Sequence, residues 1–322
     1  MTRYLGRRLF RASILLLAVS ALSFCLFQLV PGDYYDELRM DPAVSRETIA
    51  ELRKQHSLHE PMAIRYGRWL MSIAKGEWGY SVAYNIPLGP LLFGRALNTL
   101  ILTSSAALCA WAIAVPFALW TVGGGRWRHL LATSLTSVLL SFPDLVVLLA
   151  LLALAANSGI LPAGGMSSPQ FSQMTLPGKT ADLILHLSVP VAALALGSLP
   201  TLLLHTRSAL IEAMRSPFVR FAVMNGIPHT RIMIRHAMPA AANPMISLLG
   251  LSVGSLLSSS LVVEAVVGWP GLGHLLFQAL MQRDLLAVAG AILLSSLFLI
   301  AGNLIADILL YALDPRIRHD RK

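Results

Sequence analysis

The chain has little charge, little cysteine and few polar stretches. Only 13% of its 322 residues are charged, about half the share usual in soluble domains. So few polar residues cannot cover a globule of this size, which excludes a soluble enzyme. Hydrophobic residues make up 56% of the chain. That also excludes a disordered chain, because so much apolar side chain does not stay solvated. The two cysteines, Cys25 and Cys109, both lie in apolar runs. They provide no disulfide framework and no metal-ligand spacing. His56 and His59 stand three apart without a third ligand and read as solvated side chains. A nucleotide loop is missing as well. Gly178-Lys179-Thr180 resembles the end of one, but Gln173 stands where the pattern needs glycine, and no strand precedes the segment, which is expected to be an external loop. If ATP drives this protein, another chain must bind it. No internal repeat of about 20–50 residues is visible.

What is present is apolar sequence in long runs. They fall at 9–30, 97–122, 130–156, 183–205, 241–266 and 285–312. Each is long enough to cross a bilayer as a helix, which takes roughly 20 residues. Pro116, Pro143, Pro190, Pro200 and Pro244 lie inside these runs, and packed membrane helices tolerate such prolines when neighbours satisfy the freed carbonyls. Pro239 and Pro244 blur the start of the fifth run. The first run has a basic flank of Arg3, Arg7, Arg8 and Arg11. It is long for a signal sequence and is followed by a poor cleavage site at Val30-Pro31-Gly32-Asp33, so it reads as a retained first helix.

The formal charge is +9. No basic patch with interleaved aromatics accompanies it, so nucleic acid is not the expected partner. The charge reads instead as a topology signal. With the N-terminus cytoplasmic, 15 of the 25 basic residues fall in inside segments. Of the rest, eight lie in the long outside segment 31–96, which also holds eight acids. Short loops carry the positive-inside signal, and it places both termini in the cytoplasm. Segment 31–96 reads as a small ordered extracytoplasmic cap. Ser45 could start a helix through Arg53, with Glu47 and Glu51 near its start. Tyr66, Trp69, Trp78, Tyr80 and Tyr84 are aromatics of the kind found at membrane interfaces.

The cytoplasmic stretch 206–240 is unusual for a plain helix bundle. Ser216-Pro217 reads as an N-cap followed by proline in the first turn. Gly226 fits the left-handed position after a helix, and Pro228 prevents continuation. The helix between them has about two turns and would be marginal alone in water. Its spacing puts Phe218, Phe221, Ala222 and Asn225 on one face, with Val219 and Val223 beside them. Such a helix packs either on its own helix ends or in a partner protein, where aromatic anchors carry much of the energy.

Here the sequence resembles the membrane permease subunit of ATP-binding-cassette importers, in the B-type subunit of the dipeptide/oligopeptide/nickel group. The resemblance covers nearly the whole chain. It rests on Arg207-Ser208-Ala209-Leu210-Ile211-Glu212-Ala213-Met214, on Phe218-Val219-Arg220-Phe221-Ala222 with Gly226, and on Arg235-His236-Ala237 and Asn243-Pro244. It continues through Val262-Val263-Glu264, Trp269-Pro270-Gly271-Leu272-Gly273, Arg283-Asp284, and Asn303, Asp307, Tyr311 and Asp314-Pro315-Arg316-Ile317-Arg318. Upstream, Gly76-Glu77-Trp78-Gly79-Tyr80-Ser81, Asn98-Thr99-Leu100, Pro143 and Leu161-Pro162-Ala163-Gly164-Gly165 also match. Each piece is weak, but their order is specific. Val223, Met224 and Asn225 depart from the family, which usually has a basic residue, alanine and lysine there. Asp144 stands where the family usually has an uncharged residue.

The resemblance implies an all-α integral membrane fold of the type I importer class, with six transmembrane helices and a coupling helix at about 216–227. On that reading, residues 1–30 are the cytoplasmic N-terminus and first span. Residues 31–96 are extracytoplasmic, 97–312 form the permease core, and 313–322 are a cytoplasmic tail. Glu212, Ser216, Pro217, Phe218, Val219, Arg220, Phe221, Ala222 and Gly226 would face the ATPase. Trp269, Pro270, Gly271 and Gly273 would form a turn near the solute-binding protein, with the glycines supplying positive φ. The implied partners are a second permease subunit (a heterodimer), two ATPase subunits that bind ATP-Mg, and an extracytoplasmic solute-binding protein. This chain would bind no cofactor or metal and perform no chemistry. The cargo would be short peptides, nickel or another small solute, crossing the bacterial inner membrane.

Ionisable groups in apolar runs are costly and are functional candidates by default. Asp144, Glu264, Asp307 and His186 qualify. Asp144 could line the pathway and attract a cationic group such as a peptide amine, while Glu264 and Asp307 suit structural or gating roles. The first rival is an ion-coupled secondary transporter working through Asp144 and Glu264. The second, an intramembrane hydrolase, needs a nucleophile–base pair that no recognised pattern supplies.

Overall fold

A computed structural model describes residues 2–28, 47, 51 and 60–313. Val30-Pro31-Gly32-Asp33, most of the helix expected from Ser45 through Arg53, His56, His59 and the Asp314–Arg318 motif lie outside the described residues.

The described chain is mostly helical. Helix α1 spans Thr2–Gln28 and α2 spans Met62–Ala74. A hairpin follows, β1 Tyr80–Ser81 and β2 Ile86–Pro87, paired antiparallel with Tyr80 opposite Pro87. Next come α3 Leu88–Val122, α4 Arg126–Ser141, α5 Asp144–Ser158 and α6 Leu176–Arg215. The short α7 covers Pro217–Met224. Helix α8 runs His229–Val267, α9 Leu272–Met281 and α10 Leu285–Leu313.

Among the described residues, five helices are long and apolar enough to cross a membrane: α1, α3, α6, α8 and α10. The bent pair α4–α5 makes a sixth span if taken as one. Several helices outrun their apolar runs. The 40 residues of α6 give a rod of about 60 Å, against a hydrocarbon core of about 30 Å. Hydropathy detects only the part in lipid. Hence α6 starts at Leu176, inside the segment expected to be a loop, and Gly178-Lys179-Thr180 belongs to its first turns. Its other end reaches Arg215, so the stretch 206–240 begins as helix.

The third expected span needs correction. Residues 130–156 are not one helix: α4 and α5 meet at 91°. Phe142 and Pro143 between them are extended, with ψ of 128° and 139°. Proline drives the residue before it out of the helical region and gives no N–H to the ladder. At Pro116, Pro190, Pro200 and Pro244 the helix continues. At Pro239 the blurred boundary resolves into a wide π turn, Met233–Ala237, just before it. The ring of Pro239 crowds the carbonyl four residues back, and that residue, Arg235, lies in the wide turn.

The chain forms two compact units. The first holds residues 1–99 and 270–300. Leu88 and Leu92 of α3 pack with Leu272 and Leu275 of α9 and with Ala287 and Val288 of α10. A smaller cluster joins α1 to α2 through Phe24, Tyr66 and Trp69, and Tyr66 Oη lies 2.8 Å from Ser20 Oγ. Trp69 is therefore a core residue, although the sequence reads it as an interfacial one. Asp284 ties the unit together. Its carboxylate accepts from Ser81 Oγ at 2.5 Å and from the Ala83 N–H, and also from the Ala287 N–H in the first turn of α10.

The second unit holds residues 100–269 and 301–322. Helix α6 packs along α8, with α4 and α5 also against it. Helix α3 contributes Ala106, Ala110, Ala114 and Ala118, one every fourth residue and all fully buried. In lipid, small residues at this spacing let backbones approach closely, which is where helix packing energy is gained. Ala110 and Ala114 meet Leu199, Leu202 and Leu203 of α6 and Leu248 of α8. Ala110→Leu adds volume where none is free, at a cost of about 1–3 kcal/mol. The purified chain should melt several degrees lower in detergent, with helix content kept. An unchanged melting temperature would show that this contact is loose.

Candidate functional site

The two-turn helix α7 is held by its ends and by one face. Ser216 occupies the N-cap with ψ 147°, but its hydroxyl donates back to the Ala213 carbonyl at the end of α6 rather than to α7. It thus fixes the corner between the two helices. The far end closes with paired bonds. Ile227 N–H donates to the Ala222 carbonyl and Gly226 N–H to the Val223 carbonyl, the Schellman arrangement with its left-handed residue at Gly226. Gly226 has φ +71°, a conformation that costs an L side chain roughly 1–2 kcal/mol. Asn225 Nδ2 donates to the Phe221 carbonyl at 2.8 Å.

The faces differ from the expected assignment. Val219 and Ala222 are buried and pack with Ile232, with Met214 and Ile227 at the edges. Ala222 therefore belongs to the inner face, not with the phenylalanines. Phe218 and Phe221 are 51% and 68% exposed, and Met224 is 83% exposed. These three stand at spacing three and make one outward row. Pro217, Arg220, Val223, Asn225 and Gly226 are exposed around it, and Glu212 is exposed on the end of α6. The inner face makes the short helix stable and leaves the aromatic row free. Met224 supplies the most exposed apolar side chain of the row.

The ionisable candidates lie apart. Asp144 opens α5, just after Pro143. Its carboxylate rests against Gly197 of α6, where any Cβ would stand 2.9 Å from Oδ1. Glu264 is fully buried near the end of α8. Asp307 is half-buried in α10. Among the described residues, no group of three or more His, Cys, Asp or Glu side chains could hold a metal ion. His186 has a partner the sequence reading missed. Its Nδ1 lies 2.8 Å from the Asp182 carbonyl and 3.6 Å from Asp182 Oδ1. Asp182 Oδ2 in turn accepts the Ser168 N–H. The pair pins the loop before α6 to its first turns. The signal was legible, since Asp182 and His186 stand four apart on one helix face.

The glycine-rich turn also needs correction. Gly268 alone has positive φ, +72°. Gly271 is extended, and Gly273 lies in α9. Trp269 is fully buried in the core of the second unit, and its N–H donates to the Glu264 carbonyl. Pro270 is half-buried, and its carbonyl accepts from Asn98 Nδ2. Thr99 Oγ1 caps α9 by accepting the Leu272 N–H.

These features define a helical membrane protein of several candidate spans with a short capped helix whose outer face is apolar. The family follows from comparison with known proteins. Residues 112–319 match the family described as "Binding-protein-dependent transport system inner membrane component". Residues 1–87 match its companion, "Binding-prot-dependent transport system membrane comp, N-term". The chain belongs to this family and is a multi-pass inner-membrane permease subunit of an ATP-binding-cassette importer. It is 30% identical to the oligopeptide transport system permease protein AppB of Bacillus subtilis, over 99% of this chain and 100% of the relative. It is 30% identical to the glutathione transport system permease protein GsiC of Salmonella typhimurium, over 99% and 100%. It is 28% identical to the dipeptide transport system permease protein DppB of Alkalihalophilus pseudofirmus, over 99% and 100%. Nothing in these likenesses favours an ion-coupled secondary transporter.

Gly226→Val tests the cap. Valine at φ +71° should cost at least about 1 kcal/mol at that turn. Amide exchange in α7 should speed up while membrane insertion and the melting of the rest persist. Unaltered exchange in α7 would contradict the fixed geometry of the helix end.

Proposed function

We propose that α7 is the coupling helix of a peptide importer and that it seats in a cleft of a separate ATP-hydrolysing subunit. The outward row Phe218, Phe221 and Met224 carries this reading. Aromatic anchors around a rigid backbone are what protein interfaces use for most of their energy. The low charge of α7 makes the docking mainly apolar. ATP-Mg binds on the partner subunits, and this chain supplies no hydrolytic site. Closure of the two ATPases pulls the coupling helices together and rocks the membrane helices between inward-facing and outward-facing states.

The full assembly pairs this chain with a second, related permease subunit, two ATPase subunits and an extracytoplasmic solute-binding protein. Both termini lie in the cytoplasm, in keeping with the basic residues of the short loops. Residues 31–96 are extracytoplasmic, 97–312 form the permease core and 313–322 a cytoplasmic tail. The turn from Gly268 through Gly273 lies on the side of the binding protein. There Trp269 acts as the buried anchor of the turn, and Gly268 and Pro270 are the parts open to a partner. The cargo is a short peptide, a reading supported by the oligopeptide, glutathione and dipeptide systems named for the relatives. Asp144 faces the pathway and attracts the peptide amine. Glu264 and Asp307 take structural or gating roles.

Two outcomes check this. Phe218→Ala with Phe221→Ala should reduce transport-coupled ATPase activity of the reconstituted importer by on the order of tenfold or more, with the chain still inserted. Coupling at the wild-type level would remove α7 from the ATPase interface. Asp144→Asn should lower peptide uptake while ATPase coupling is retained. Uptake equal to wild type would take Asp144 out of the pathway.

A further inference from the structure

We infer that the turn between α3 and α4 is a binding site for the phosphate of an anionic phospholipid. The site is built around Arg128. Its guanidinium lies 4.9 Å from the ring centre of Trp120 and 5.6 Å from that of Trp127. The two indoles meet edge to face at 5.4 Å. Arg128 Nη1 donates to the Trp120 carbonyl at 3.4 Å. The aliphatic stem folds back over Gly124, where a Cβ would stand 2.0 Å from Cδ. Only the absence of a side chain at 124 leaves room for this pose.

The arrangement holds a cation in place without neutralising it. Stacking occupies the flat face of a guanidinium and leaves its edge for in-plane hydrogen bonds, the geometry that suits phosphate oxygens. Arg128 Nε is buried and has no hydrogen-bond partner among the described residues, while the side chain as a whole is half-buried. Arg126 is exposed two residues away. No acidic residue occurs between Glu77 and Asp144, and among the described residues neither arginine forms an ion pair. One held positive charge, at Arg128, and a second exposed one, at Arg126, therefore stand together at this turn.

The surroundings identify that anion as a lipid. Trp127 is 57% exposed and Trp120 39%. Exposed indoles at the end of a long apolar helix mark the membrane–water boundary. Helix α3 is such a helix, and α4 continues from the turn with exposed Leu130 and Leu131. A phosphate held at this depth carries acyl chains that lie along these apolar side chains. An anionic headgroup adds attraction of about 1 kcal/mol per basic residue, or roughly fivefold in affinity. This reading is independent of peptide cargo and of the ATPase, because it concerns the chain in the bilayer alone.

The test uses the full chain in phosphatidylcholine nanodiscs that contain phosphatidylglycerol, with either lipid brominated to quench tryptophan emission. Brominated phosphatidylglycerol should quench more strongly at equal mole fraction. The excess should vanish in Trp120→Phe with Trp127→Phe, which places the lipid at this turn. Arg126→Gln should reduce the preference for phosphatidylglycerol about fivefold. Arg128→Lys keeps the charge but loses the stacked edge, and should also reduce it. Equal quenching by the two lipids in the wild type overturns the proposal. So does an excess that survives Arg126→Gln with Arg128→Gln in protein of unchanged melting temperature. Loss of the excess on adding inorganic phosphate would mean that the site takes free phosphate, and overturns the lipid assignment.

Discussion

In hydrocarbon there is no water to satisfy a peptide N–H or C=O, so a spanning chain closes its own backbone hydrogen bonds as helix. That constraint sets most of this structure. It explains why α6 keeps its helix through Pro190 and Pro200, and why the left-handed turn at Gly226 lies outside the spans. Among the described residues, the bent pair α4–α5, broken at Phe142-Pro143, is the exception. The break turns α4 and α5 by 91° and places Asp144 at a helix start beside Gly197. There the carboxylate of the exposed Asp144 comes close to Gly197, which has no side chain to obstruct it.

Between helices in lipid the hydrophobic effect gives little, and close packing has to supply the cohesion. The alanine row of α3 does this against α6 and α8. The short helix α7 obeys the opposite rule. It lies outside the spans, where burying Val219 and Ala222 gains transfer free energy, and the Schellman cap satisfies carbonyls that the helix leaves open. The two environments join in α6, which runs from the membrane to the Ser216 corner without interruption. The proposed coupling would use this continuity, since α7 joins the packed core through one unbroken helix.

Much of this was legible in the sequence, for physical reasons. Long apolar runs located the spans, and the pattern Ser-Pro to Gly located α7 within a residue. Hydropathy could not reveal where helices continue into water, so α3, α6 and α8 begin or end beyond their apolar runs. It also could not tell the tolerated prolines from Pro143, because that depends on whether neighbours support the bend. The face of Ala222 was misjudged because helical spacing gives the angle of a side chain and not what lies opposite. Ile227 and Ile232 return after the turn to cover it. Trp269 illustrates the same limit: its ring is core, and no local signal separates it from an exposed aromatic. Asp182, four residues before His186 on one helix, was readable by spacing, whereas the Trp120–Arg128 contact crosses a turn between two helices and was not.

The proposed coupling role gives a reason for an apolar row in a place where water should disfavour it. An exposed Phe218, Phe221 and Met224 on a capped two-turn helix costs free energy unless a partner covers it. One measurement tests this most directly. A photo-reactive amino acid replaces Met224 in the full chain, and native membranes are irradiated. The account predicts a cross-linked product whose second chain is a nucleotide-binding ATPase subunit, identified by mass spectrometry. A cross-link only to lipid or to the chain itself, in membranes that contain the assembled importer, would contradict it.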